Sequence, residues 1–183
     1  NIDVFLESDV DVIVTSSAGC GSSMKEYSDL LSDDPDYSEK AIWFSSITKD
    51  ITEFLVELPW EPPTHKLTRK ITYQDPCHLA HAQRIVDAPR RLLKSIKGVE
   101  LIEMKQSTMC CGSAGFYSMV QPELSSRILE TKMSNILDTA TDQIVTANPG
   151  CMMQIENGLL DVQGEQTVVH VVDILDEAYA LEE

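Results

Sequence analysis

Five side chains in this sequence are suited to hold a metal: Cys20, Cys77, the vicinal pair Cys110-Cys111 and Cys151. Thiolates are soft ligands that select zinc, Cu(I) or iron–sulfur clusters. An adjacent pair crowds a single tetrahedral ion, because neighbouring side chains diverge. A cluster with several irons gives each sulfur its own iron, so the pair favours a cluster over the alternative, one zinc ion. The neighbours suit that chemistry. Cys111 runs into Gly112-Ser113-Ala114-Gly115, where small residues let backbone N–H groups approach the sulfurs. Asn148-Pro149-Gly150 makes a turn that delivers Cys151 to a helix start, where the helix dipole favours a thiolate. Pro76 fixes the chain ahead of Cys77.

Blander readings compete at each position. A single cysteine is ordinarily a small buried hydrophobe. Four of them at strand-end loops beside Gly or Pro read as a site instead. His78 and His81 are placed to ligate a metal or donate to a sulfur, or simply to be polar residues at a helix start. Met152 and Met153 read as core packing rather than thioether ligands. Thiol–disulfide exchange at Cys110-Cys111 would close a strained ring, and there is no Cys-x-x-Cys motif.

The elements that must position these residues follow from apolar patterning. Val12–Thr15, Lys70–Tyr73, Val99–Ile102, Ile144–Ala147 and Thr167–Val169 are predicted as short buried strands. Ser22–Leu31, Ser38–Leu58, Ala80–Ile96, Glu123–Leu137 and Asp173–Leu181 carry helical patterns. This alternation predicts an α/β fold with a mainly parallel sheet. Cys20, Cys77 and Cys151 each follow a predicted strand, and Cys110-Cys111 lies in the loop after another. Ligands of open α/β sheets bind beyond those strand ends.

One segment occurs twice. Asp11–Cys20 (DVIVTSSAGC) and Asp142–Cys151 (DQIVTANPGC) are identical at six of ten positions with an offset of 131 residues. Read as a duplication, the first copy lacks counterparts of Cys77 and Cys110-Cys111. Cys20 then belongs to a separate site, that of the truncated first repeat. The stiff stretch Pro59–Thr64 is the linker, which predicts one unit at 1–63 and a second at 64–183.

Bulk properties limit the partners. The 183 residues carry 30 acidic against 14 basic side chains, a net charge of −16, which disfavours nucleic acid. Arg84, Arg90, Arg91, Lys94 and Lys97 nevertheless share one helical stretch, read as a solvated face or as a docking surface for an acidic partner. No apolar run is long enough to span a bilayer, so no transmembrane segment is expected. The opening Asn1-Ile2-Asp3-Val4 has no initiator Met and no signal-peptide character, giving the expectation of a leaderless fragment in a reducing cytosol. No Gly-x-Gly-x-x-Gly fingerprint for flavin or nicotinamide is present.

The order Cys77, Cys110-Cys111-Gly112, Cys151 resembles the cysteine-rich CCG-domain family, whose members include subunits of heterodisulfide, glycerol-3-phosphate, lactate and glycolate oxidoreductases. The resemblance is strongest to the glycolate oxidase branch, through Thr72–Leu79, Cys110–Tyr117, Val145–Cys151 and Ala18–Gly21 with Lys25–Tyr27. It implies Rossmann-like CCG repeats and a 4Fe-4S-type cluster at Cys77, Cys110, Cys111 and Cys151. It further implies electron transfer from a flavin-containing, glycolate-oxidising subunit toward a respiratory acceptor, with no substrate oxidation by this chain itself. A ferredoxin-like domain upstream in the same chain is also implied, as is a cytoplasmic location that includes the inner face of the membrane. The sequence departs from the family at Cys151-Met152-Met153-Gln154, where many members have Cys-x-x-Cys. That leaves four thiolates, enough for a cubane cluster or a structural zinc, in a site that an isolated fragment readily leaves empty.

Overall fold

A computed structural model describes residues 1–180. The first third holds helix α1 (Ile2–Glu7), strand β1 (Ile13–Thr15), helices α2 (Ala18–Lys25), α3 (Tyr27–Leu30) and α4 (Ser38–Ile47), strand β2 (Thr48–Asp50) and helix α5 (Ile51–Glu57). After an extended stretch come β3 (Arg69–Tyr73), a π-helical turn (His78–Ala82), α6 (Asp87–Ser95), β4 (Val99–Leu101), α7 (Tyr117–Val120) and α8 (Pro122–Leu137). The chain continues through β5 (Gln143–Thr146), α9 (Pro149–Val162), β6 (Thr167–His170) and α10 (Val171–Ala180).

Among the described residues the strands form two sheets, both parallel, as the α/β reading expects. β1 pairs with β2, and the larger sheet has the order β4-β3-β5-β6. All four residues of β5 are buried, because helices cover both faces of this central strand. β3 is followed in sequence by β4 on one side, while β5 lies on its other side. The connections therefore part between β3 and β5, which makes their carboxyl ends the switch point of the sheet.

The predicted helix Ser38–Leu58 is three elements, not one. Thr48 Oγ1 donates to the Phe44 carbonyl at 2.8 Å, at the end of α4. Asp50 then opens α5 with a capping box, accepting from Thr52 N at 2.9 Å while Glu53 reaches back to the Asp50 N–H. The three residues between the helices extend and pair with β1. The predicted helix Ala80–Ile96 is also divided. A π-helical turn ends near Gln83, Arg84 takes a left-handed φ of 59°, and α6 starts afresh at Asp87. The predicted Ser22–Leu31 helix breaks between α2 and α3, and of Asp173–Leu181 the final Leu181 lies outside the described residues.

Each copy of the repeated segment builds strand, tight turn and helix, with its cysteine third in the helix (Ala18-Gly19-Cys20 and Pro149-Gly150-Cys151). The copies meet at a seam. Ala18 N donates to the Ala147 carbonyl at 3.3 Å, and Ser17 Oγ to Asn148 Oδ1 at 3.3 Å. Ser17 and Asn148 are equivalent positions of the repeat. His170, at the end of β6, bonds across the same seam to the Ser16 carbonyl at 2.9 Å. The first third has its own small core around Ile2, Ile13, Ala41 and Phe44. The core of the larger sheet also takes in Ala18, with Leu55, Val56 and Trp60 packed against it.

Candidate metal centre

The switch point beyond β3 and β5 is where four of the five cysteines gather. Cys77 leaves β3 and opens the π-helical turn, and Cys151 lies in the first turn of α9, just after β5. Cys110 and Cys111 come from the long loop that follows β4. Their side chains run as a string, with Cys77 beside Cys110, Cys110 beside Cys111, and Cys111 beside Cys151. The vicinal sulfurs are thus neighbours rather than divergent as expected. Cys111 and Cys151 are buried in the apolar layer with Ile144 and Ile155, whereas Cys77 and Cys110 are partly open to solvent. Cys20 is exposed.

The electrostatics alternate along the string. Cys110 is held far below the ordinary thiol range, first by its neighbour Cys111, then by Cys77 and the Gly112 N–H. Cys151 is also lowered, by Cys111 first and then, against the opposing effect of burial, by Asn148. Cys77 and Cys111 are raised, each chiefly because it gives its proton to the Cys110 sulfur. Lowered and raised thiols thus alternate along the string, and a metal that took all four sulfurs would displace their protons.

Short polar contacts brace the sulfurs. Gly112 N donates to Cys110 Sγ at 3.3 Å, Asn148 Nδ2 donates to Cys151 Sγ at 3.3 Å, and the Ser113 N–H is directed to Cys111. Gly112 has a φ of 93°, and a Cβ on it would lie 2.5 Å from the Ser125 carbonyl oxygen, so this position of the Cys-Cys-Gly run needs glycine. Ser125 Oγ donates to the Gly112 carbonyl at 2.8 Å and receives Gln154 Nε2 at 3.1 Å. Gln154, standing where many relatives of the pattern carry a further cysteine, therefore ties α9 to the loop. Gly150 packs against Ser113 Oγ and Asn148, which leaves little space above the turn.

The histidines separate. His78 Nδ1 lies 3.6 Å from Cys77 Sγ, at the margin of the string, while His81 Nε2 is 3.1 Å from the Thr108 carbonyl and braces the loop before Cys110. Met153 is 66% exposed, so the expected core role fails; it follows Cys151 on the outward side of α9. In the basic stretch, Arg84, Arg91, Lys94 and Lys97 are solvated as expected, but Arg90 is not. Its guanidinium grips buried Asp75 at 2.7 and 2.8 Å and Glu103 at 2.8 and 2.9 Å, clamping the exit of β3 to the loop carrying Cys110.

Two residues at the centre went unrecognised in the sequence. The sequence marks Asn148 only as a turn former, yet its amide donates to Cys151 and accepts from Gly19 N at 3.2 Å. Lys132 is fully buried on α8. The visible sign was a lysine inside the apolar stripe Leu129, Met133, Ile136, at helical spacing.

A parallel α/β sheet whose strand-end loops bring four cysteines to its switch point defines a thiolate-site domain of the α/β class. The cysteine-rich domain family (CCG) matches residues 71–156. The chain is 43% identical over 182 residues to the probable glycolate oxidase iron–sulfur subunit of Bacillus subtilis, covering 97% of this chain and 41% of that protein. It is 32% identical over 181 residues to the glycolate oxidase iron–sulfur subunit of Escherichia coli, covering 97% and 43%. To lactate utilization protein A of Shouchella clausii it is 33% identical over 170 residues, covering 92% and 71%. The chain thus spans about two fifths of the glycolate oxidase subunits it matches. It belongs to the cysteine-rich CCG-domain family. No helix among the described residues is long and apolar enough to cross a membrane.

Proposed function

We propose that this chain is an iron–sulfur electron-transfer unit of a glycolate oxidase-type complex, with Cys77, Cys110, Cys111 and Cys151 holding one cluster. The observation that carries the reading is the meeting of four thiols from three strand-end loops at the switch point of the sheet. The sulfurs form a string of neighbours running from Cys77 to Cys151. The donor set itself, four soft thiolates braced by N–H donors, fits iron and sulfide.

When bound, such a cluster accepts and releases single electrons. The chain's own residues shape that property. Gly112, Ser113 and Asn148 direct N–H groups at the sulfurs and favour added negative charge there. The apolar layer around Cys111 and Cys151 excludes water from the inner side, while Cys77 and Cys110 leave the outer side open to a partner. In this reading residues 64–183 are a complete CCG repeat, and Cys20 in 1–63 serves a separate site. The electron donor is a flavin-containing subunit that oxidises a hydroxy acid, glycolate by similarity to the named relatives, and the location is cytoplasmic.

The test is anaerobic purification or reconstitution, followed by iron, sulfide and visible absorption measurements. About four iron and four sulfide per chain are expected, with charge-transfer absorption lost in Cys111→Ser and Cys151→Ser but kept in Cys20→Ser. Stoichiometric zinc with neither iron nor sulfide would overturn the proposal.

A further inference from the structure

Lys132 is a cation in an unusual setting. It lies on the inward face of α8, fully buried, with Leu129, Met133 and Ile136 on the same face. Its ammonium donates to the carbonyls of Gln106 at 3.1 Å and Ser107 at 3.0 Å and lies 4.0 Å from Met104 Sδ. No carboxylate pairs with it among the described residues. Buried Asp75 has both oxygens engaged by Arg90. Burying an ammonium without an anionic partner is strongly unfavourable, and a fold that retains one needs a compensating negative charge. Met104, which the ammonium touches, packs in one buried cluster with Cys111 and Cys151. The two carbonyls that hold the ammonium belong to the loop that leads into Cys110-Cys111. The Ser107 carbonyl also accepts the Asp75 N–H at 3.2 Å, next to the exit of β3 that carries Cys77. Lys132 is therefore fixed behind the loop that carries Cys110-Cys111, bonded to its backbone and to no cysteine sulfur.

We propose that Lys132 is the resident counter-charge of the four-cysteine centre, a positioning residue that touches no metal yet lets the buried site hold negative charge. The inference rests on the reading of these cysteines as an iron–sulfur site. A four-thiolate cluster is anionic and becomes more so on reduction. A fixed positive charge behind it favours both assembly of the cluster and its reduced form. In the metal-free chain the same charge is a burden, since it is buried with only two carbonyls and a thioether to receive it. Lys132 should therefore act in opposite directions in the two states. A lysine that merely braced the loop would stabilise both.

The experiment compares the parent chain with Lys132→Met, which fills the space without charge, and Lys132→Gln, which keeps donors for the two carbonyls without charge. Each is unfolded in urea in its metal-free, reduced form. Each is then reconstituted anaerobically with ferrous iron and sulfide, and the retention of the cluster against a chelator and its midpoint potential are measured. The metal-free variants are expected to match or exceed the parent in urea midpoint. Their clusters should be lost to the chelator about 10- to 100-fold more readily, with a lower potential. Variants that lose stability in the metal-free form while retaining the parent's cluster affinity and potential would overturn the proposal and leave Lys132 as a brace. If Lys132→Met does not fold, Lys132→Gln alone decides the matter by its potential. A parent chain that takes up no iron or sulfide would refute the functional reading itself. A loaded parent whose variants behave identically would refute only the role of Lys132.

Discussion

Single atoms decide whether the cysteine loop can form. Gly112 combines a left-handed backbone with a carbonyl 2.5 Å from where a Cβ would stand, and its own N–H is spent on Cys110. Gly112→Ala is expected to destabilise the chain by about 1–3 kcal/mol, read as a lower urea midpoint. The same variant should lose the Cys110 contact and with it part of its capacity to hold iron. At this scale the sequence was informative where residue type alone carries the chemistry. Cysteine has few roles, and a Cys-Cys-Gly run beside small residues announces a turn that packs against sulfur. It was uninformative where role depends on surroundings. Lys132 reads as one more lysine among 14 basic residues until burial sets it apart. Arg90 looks like its solvated neighbours Arg91 and Lys94 until the carboxylates of Asp75 and Glu103 are seen to meet it.

Elements position the site through their ends. The turn from β5 into α9 carries both a sulfur and the amide that serves it, because Asn148 precedes Pro149 at the helix start and reaches Cys151 one turn on. The same side chain receives Gly19 N and Ser17 Oγ from the start of α2. Asn148→Leu removes all three contacts and is expected to cost about 1–3 kcal/mol in urea unfolding. Asn148→Asp keeps the acceptor for α2 but removes the donor to sulfur and adds a negative charge. It should retain more of that stability while losing iron faster to a chelator. Strands with Val, Ile and Thr between turn residues were legible almost to the residue, but the expected burial holds throughout only in β5, while β1, β4 and β6 each expose one residue. β2 was not legible. Thr48-Lys49-Asp50 carries no apolar residue, and its pairing comes from β1 rather than from local preference. The capping residues Asp50 and Glu53 were the available sign. The break before α6 left its trace in Pro89, which a helix tolerates only in its first turn, with the left-handed Arg84 shortly before it.

The molecule as a whole is less divisible than its repeats. The linker at Pro59–Thr64 marks a change of sheet, yet Ala18, Leu55, Val56 and Trp60 from the first third pack into the core beneath β3 and β5. Each apolar side chain stripped of its cover loses up to about 1.5–3 kcal/mol, and a few such losses rival the whole margin of about 5–15 kcal/mol. Urea unfolding followed by tryptophan fluorescence, from Trp43 in one core and Trp60 at the other, should therefore coincide with that followed by far-ultraviolet circular dichroism. A polypeptide of residues 64–183 should unfold at lower urea than the whole chain. Two separate transitions would show that the cores are independent. The seam between Ser17 and Asn148 then bears on inheritance. A duplicated unit is free to be shuffled, lost or replaced only while its copies fold alone. Here equivalent positions of the two copies meet each other, so a substitution on one side is judged by the residue opposite. If the two segments are read as copies of one unit, each change fixed in one narrows what its twin can accept.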